Sequence, residues 1–185
     1  YGAVANISAA APALRHGAPN PPEPHVTATP TQTRDFLRHF SIEITGKQIE
    51  KLPVLREKLA PGTRVFIALI DPGEVQAQIA AVRALKDAGL VPVPHVPARF
   101  VRDLDDLKTR IAAHAAGGAT EMLVLGGGAP QPIGIYDAAI QLLETGVFQD
   151  NGVKRIGIAG HPEGNPDISK AKGEAALLQA LKDKQ

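Results

Sequence analysis

The chain has 185 residues, enough for one domain with a sizeable core, and its 20 Lys and Arg residues balance 19 Asp and Glu residues. No block of like charge indicates a nucleic-acid or polyanion partner. The absence of cysteine excludes disulfides and thiolate metal sites. No run approaches the roughly 18 apolar residues of a membrane helix, so we expect no membrane insertion. Ala, Val, Ile and Leu carry most of the 44% apolar content, which suits parallel strands with covering helices.

The amino-terminal region has a composition of its own. Residues 1–33 are rich in Ala and Pro, with five of these in the run Ala18–Pro24. Such a segment buries too little apolar surface to order itself, so we expect residues 1–37 to be an arm held by a partner or by the domain at 38–185. Because the first residue is Tyr1 and not Met, we also expect a chain that was processed or belongs to a longer product. The compartment stays open between the mitochondrial matrix and the cytoplasm.

From residue 38 onward, short aliphatic runs alternate with segments of helical period. Strands are predicted at residues 40–44, 64–70, 91–96, 121–125 and 155–159. Helices are predicted at residues 47–59, 74–88, 103–116, 136–143 and 173–184. The third strand is unusual because it holds Pro92 and Pro94, and each proline removes a ladder donor. Strict alternation indicates a parallel sheet with right-handed crossovers, either an open doubly wound sheet or part of a barrel.

In both kinds of parallel fold, ligands bind at the carboxyl ends of the strands. Glu43 lies near the end of the first strand, on the face opposite Ile42 and Ile44. If the apolar face packs on helices, the Glu43 carboxyl points to the other side and is partly desolvated. A carboxyl in that position suits general-acid work. The alternative is a solvated glutamate on an edge strand.

Glycines follow the fourth strand at Gly126, Gly127 and Gly128. Such a run can bring backbone N–H groups close to a phosphate. It is not a dinucleotide fingerprint, because the Gly-x-Gly-x-x-Gly spacing fails at Gln131. The alternative is a flexible turn.

Histidines follow two other strands. His95 ends the third strand, but a lone histidine is more often structural, and no second histidine has metal-ligand spacing to it, so we predict no metal site. The segment 161–167 after the fifth strand holds two prolines and a glycine, which predicts a stiff loop suited to binding. Neither a Gly-x-Ser-x-Gly elbow nor a Gly-Lys-Ser/Thr loop is present, so hydrolase and nucleoside-triphosphatase functions lack support.

The order of four motifs resembles that of methylenetetrahydrofolate reductase. They are Phe40-Ser41-Ile42-Glu43, Pro94-His95-Val96, Leu125-Gly126-Gly127-Gly128 and, the most specific, the segment 157–166 with its Ala-Gly-His-Pro-Glu sequence. The resemblance covers residues 38–185. It implies a TIM-type (β/α) barrel that binds FAD without a covalent bond, of which this chain holds about five strands with their covering helices.

The resemblance also implies residue roles. Glu43 matches the acid that protonates and opens the folate ring, after hydride has passed from NAD(P)H to the flavin. The residues that match the flavin site are His95, Gly126, Gly127, Gly128, Tyr136, His161 and Asn165. Gln179 and Lys182 lie in a helix that resembles the one holding the phosphate end of the flavin.

Three departures from the family pattern leave more than one function open. Gly128 stands where the family has the Asp that contacts the pterin, Asn165 stands where it has His, and the chain ends at Gln185 before a sixth strand. One interpretation is a truncated, catalytically impaired flavin and folate module, acting as an accessory subunit of a larger assembly. A second is an active FAD-dependent reductase of 5,10-methylenetetrahydrofolate whose remaining strands lie outside this chain. A third is a flavin- or folate-binding module without turnover.

Overall fold

The computed structural model describes residues 28–160 and 175–183, and the chain divides into two units, Tyr1–Phe36 and Leu37–Gln185. The described part of the first unit leads into helix α1 (Pro30–Leu37), which has no buried residue. This helix is not among the predicted elements. Its start is stabilised locally, because the Thr29 N–H donates to Gln32 Oε1 at 2.8 Å and the Gln32 N–H donates to Thr29 Oγ1 at 3.3 Å.

The second unit is built on a parallel sheet of five strands in the unbroken order β1-β2-β3-β4-β5. The strands are β1 (Ser41–Thr45), β2 (Arg64–Ala68), β3 (Val91–Pro97), β4 (Glu121–Leu125) and β5 (Arg155–Ile158). The predicted α/β class and all five predicted strands are confirmed. The strand ends differ from the predicted ones by at most two residues, as where β2 stops at Ala68.

Helices connect the strands or follow the last one, and some differ from the predicted ones. They are α2 (Leu52–Lys58), α3 (Val75–Asp87), α4 (Leu104–Ala116), α5 (Ala139–Leu143), α6 (Val147–Asp150) and α7 (Ala175–Lys182), with 3-10 turns at Gly46–Lys51, Pro72–Glu74 and Ala98–Phe100. The predicted helix 47–59 is divided, because Pro53 lies in the first turn of α2 and suits a helix start. The prediction that a helix begins at Tyr136 is wrong, since α5 begins at Ala139.

The hydrophobic core lies between one face of the sheet and the helices. The buried strand residues on this face are Ile44, Val65, Ile67, Val96, Met122 and Val124. They belong to one cluster with the buried side chains Val82 and Leu85 of α3 and Leu107 and Ile111 of α4. Because successive strand residues alternate between faces, Glu43, Phe66, His95 and Leu123 lie on the face turned away from this core.

The proline-containing segment is the central strand of this sheet. Residues 91–94 pair with β2, whereas residues 95–97 pair with β4. Where a strand pairs on one side only, half of its N–H groups suffice for the ladder. Pro92 and Pro94 therefore lie in the stretch that pairs with a single neighbour, and this stagger explains how a central strand accommodates them.

Candidate functional site

Glu43 of β1 and His95 of β3 meet above the strand that separates them. Glu43 lies opposite Phe66, which lies opposite Val93, and His95 follows two residues later on the same face. Glu43 Oε2 lies 3.6 Å from His95 Nε2. The Phe66 ring stands edge-on to the imidazole, with centroids 6.0 Å apart and planes at 68°. The alternation that orients Glu43 away from the helices thus brings it against a second candidate from the sequence.

The two partners differ in their exposure to solvent. The His95 side chain is 7% exposed, whereas the Glu43 side chain is 41% exposed, which is more than the predicted partial desolvation implies. Burial lowers the pKa of His95 to about 4, although the Glu43 carboxylate acts in the opposite direction. His95 is therefore neutral near pH 7, and its contact with Glu43 is not an ion pair there.

His95 Nε2 is a buried polar atom without a hydrogen-bond partner among the described residues. Its 3.6 Å distance to Glu43 Oε2 exceeds that of a hydrogen bond. Leaving such an atom unsatisfied costs about 1–3 kcal/mol, so it calls for an explanation. A ligand atom that hydrogen-bonds to His95 Nε2 from beside the pair would supply one.

Gln78 of α3 supports this pair from the helix side of the sheet, and the sequence interpretation missed it. It is 1% exposed, and its Nε2 donates to the carbonyl oxygens of Ile67 at 2.8 Å and His95 at 3.0 Å. A signal was present, because Gln78 occupies a buried position of α3 together with Val82 and Leu85. A glutamine within an apolar stripe indicates a buried polar partner.

The glycine run begins directly after β4, next to the strand of His95. Leu125 pairs with Pro97, and the Arg99 N–H donates to the Gly126 carbonyl at 3.0 Å. Gly127 has φ +94°, and a Cβ there would lie 3.0 Å from Pro97 Cβ. Both features favour glycine. Gly128 faces open space, since a Cβ built on it would meet nothing within 4 Å.

Arg99, which follows the end of β3, holds the loop at residues 126–137 by hydrogen bonds. Its Nε donates to Asp137 Oδ1 at 2.9 Å, and its Nη1 donates to the Ala129 carbonyl at 2.8 Å. The Ile133 N–H donates to the Arg99 carbonyl at 2.9 Å. These bonds argue against the alternative of a flexible turn. No local pattern marks Arg99 or Asp137, because their contact spans 38 residues of sequence.

The remaining candidates are dispersed. Tyr136 is buried and belongs to the hydrophobic core. Gln179 and Lys182 are exposed on α7, where Gln179 Nε2 donates to Asp183 Oδ1. His161 and Asn165 lie outside the described residues. Among the candidates that are described, direct side-chain contact joins only Glu43 and His95.

A second polar cluster occupies the amino-terminal end of the same sheet face. Arg64 of β2 and Arg155 of β5 both contact the Glu121 carboxylate of β4, at 2.7 Å from Arg64 Nε and 3.0 Å from Arg155 Nη1. Arg64 and Glu121 again come from strands separated by one strand. Both arginine side chains are partly exposed to solvent, which limits what these ion pairs contribute to stability. The cluster lies at the end opposite the ligand-binding end of parallel sheets.

No protein-family model matches the chain. Across residues 28–160 and 175–183, no three side chains of His, Asp or Glu are grouped as a metal ion requires. None of the helices described here has both the length and the apolar character needed to span a membrane.

Proposed function

We propose that the chain is a flavin-binding module of the methylenetetrahydrofolate reductase type, with Glu43 and His95 at its ligand. The observation that carries the proposal is the buried His95 Nε2, which has no hydrogen-bond partner among the described residues and lies 3.6 Å from the Glu43 carboxylate, on the sheet face turned away from the hydrophobic core. We further propose that the module turns over folate poorly and that it serves as an accessory subunit of a larger assembly. Separate observations support the fold, the ligand, the chemistry and the assembly.

A TIM-type partial barrel is favoured over a doubly wound sheet by two features. The strand order is unbroken, whereas a doubly wound sheet reverses direction at its switch point. Inward side chains from alternate strands meet in layers inside a (β/α) barrel. Glu43 and His95 meet in this way from β1 and β3, and Arg64 and Glu121 do so from β2 and β4.

The residues on the sheet face turned away from the core fit the ring end of a flavin. His95 is neutral near pH 7, so its Nε2 suits a hydrogen bond with a neutral heterocycle. The Phe66 ring beside it supplies an apolar wall. Gln179 and Lys182, which are exposed on α7, are the residues proposed for the phosphate end. Bound FAD would supply the hydride-transfer chemistry.

The proton chemistry would belong to Glu43. Its carboxyl is exposed enough to exchange protons with water, and it lies beside the histidine that would contact the ligand. Neutral His95 places no permanent positive charge beside that carboxyl. A substrate nitrogen beside the two side chains would lie within reach of a proton from Glu43 Oε2.

Gly128 supports impaired folate turnover. The resembling family has an aspartate at this position, and Gly128 provides no carboxylate although space for a side chain is open. An accessory role is supported by the sheet edges, since in the described residues β1 pairs only with β2 and β5 only with β4. Unpaired edges are available to the strands of another chain. The second candidate, an active reductase, is favoured by the contact between Glu43 and His95.

The first experiment is a titration of the purified chain with FAD and FMN, followed by flavin fluorescence. We expect saturable quenching, and we expect His95→Leu to weaken it at least about tenfold, because one buried hydrogen bond is worth about 1.4 kcal/mol in affinity. Glu50→Gln, an exposed change on the turn after β1, is the matched surface control. Absence of quenching by both flavins would refute the proposal.

A further inference from the structure

Both members of the proposed ligand-binding pair are anchored to the same turn of α3, behind the sheet. We infer that this turn, at Ala77 and Gln78, sets the separation of Glu43 and His95, with Gln78 as the positioning residue of His95. The inference deepens the proposed function and rests on it for the pair's role in binding. The positioning itself can be tested without any ligand.

The anchoring of His95 begins where two strands diverge. Pairing between β2 and β3 ends at Ile67 and Pro94, and from His95 onward β3 pairs with β4 instead. The Gln78 carboxamide reaches the divergence point and donates to the carbonyls of Ile67 and His95. One side-chain nitrogen thus links β2 and β3 beyond the last paired residues.

The anchoring of Glu43 uses the backbone of the same turn. Gly46, three residues after Glu43, packs closely on α3. A Cβ on Gly46 would lie 2.7 Å from the backbone nitrogen of Gln78 and 2.8 Å from the carbonyl carbon of Ala77. Only a residue without a side chain allows this approach. The end of β1 is therefore held against the turn that holds His95.

These two anchors add to what the register of the sheet defines. Glu43 and His95 belong to strands that are not neighbours, so ladder hydrogen bonds link them only through β2 and none joins them directly. Both strands are also fixed to one rigid helical turn on the far side of β2. Within the part of the chain that the structure describes, Glu43 is a charged group that acts on His95, so a change in their separation alters the titration of the imidazole.

The test is an NMR titration of the histidine Cε1–Hε1 signals in the full chain, with His95 and His114 assigned by substitution. Gln78→Met keeps the side-chain length and removes both donors. We expect it to move the His95 midpoint from about 4 upward by about one pH unit, because the loosened ring gains solvent, while His114 stays unchanged. Gln76→Met, on the exposed side of the same helix, is the control and should move neither signal.

Two further measurements cover a Gln78→Met variant that fails to fold. In the wild type, the Gln78 side-chain amide signals should shift with the midpoint of His95. Gly46→Ala, which displaces the other anchor, should also move that midpoint. The inference would be overturned by an unchanged His95 midpoint in folded Gln78→Met, or by equal shifts of the His95 and His114 midpoints. It would also be overturned if the Gln78 side-chain signals of the wild type stayed constant while His95 titrates. A protein that passes these tests yet binds neither FAD nor FMN would retain the positioning role and lose the proposed function.

Discussion

Mild acid should destabilise this protein through two buried histidines. His95 and His114 each have a pKa lowered to about 4 in the folded chain, chiefly by burial. His114 is almost fully buried on α4, and its Nδ1 has no partner among the described residues. In the unfolded chain both titrate near 6.5, so between pH 6.5 and 4 the unfolded state binds more protons. Stability is therefore complete above pH 6.5 and is lost as the pH falls toward 4.

The size of this loss follows from the two pKa values. A difference between 6.5 and about 4 corresponds to roughly 3 kcal/mol for each histidine once the pH is below both values. By pH 5 each histidine has lost about 2 kcal/mol, which gives about 4 kcal/mol for the pair. This is a large part of the 5–15 kcal/mol typical of a folded domain.

Urea unfolding followed by far-ultraviolet circular dichroism measures the effect, because the chain has no tryptophan to report by fluorescence. The free energy of unfolding should be compared at pH 7.5, 6.5, 5.5 and 5. His114→Gln should remove about half of the dependence, whereas the exposed His39→Gln should leave it unchanged. A change of less than about 1 kcal/mol between pH 7.5 and 5 in the wild type would refute the reasoning.

Three further predictions concern single residues. Gly134→Ala should lower the free energy of unfolding by about 1–3 kcal/mol or more, because its Cβ would lie 2.0 Å from the Arg102 carbonyl oxygen. Gly128→Ala should leave the free energy of unfolding nearly unchanged, because a Cβ there meets nothing within 4 Å. Equal urea midpoints for the two variants would contradict this prediction. Arg99→Gln should speed amide hydrogen exchange at residues 126–137 at least about tenfold and leave α3 unchanged, and equal acceleration in both regions would point to general loosening. If the chain turns over folate, Glu43→Gln should abolish folate reduction and largely preserve flavin reduction by NAD(P)H; stopped-flow loss of both half-reactions alike would argue against Glu43 as the acid.

Local pattern predicted the elements whose cause is local. The β4 prediction at residues 121–125 matches the observed bounds, and α4 begins after Asp103, whose carboxylate accepts from the Asp106 N–H at 2.8 Å. The predicted start of the helix at Tyr136 was wrong because Asp137 contacts Arg99, 38 residues away in sequence, and such distant contacts leave no periodic signal. Helix α1 was missed because the Ala- and Pro-rich composition around it outweighs a short capped segment.

The candidate site, like the fold, could be predicted only where its cause is local in sequence. Strand alternation alone indicated which way Glu43 points, and its meeting with His95 depends on the stagger of three strands, which composition does not reveal. Gln78 could have been identified from its place among buried positions of α3. Arg99 could not, since its importance comes from a partner 38 residues away. Tyr136 lies in the hydrophobic core, a placement that the order of the motifs did not indicate.

The prolines of β3 also bear on aggregation. Every residue of this strand except His95 is Val or Pro. Without its prolines, an extended β3 released by partial unfolding would be the kind of apolar segment that stacks into intermolecular sheets. Pro92, Pro94 and Pro97 deny such a stack three of the seven backbone donors it would need. The native sheet accommodates them through its stagger, whereas an in-register stack of identical strands has no equivalent accommodation. The prolines of the central strand therefore protect this segment from forming intermolecular sheets.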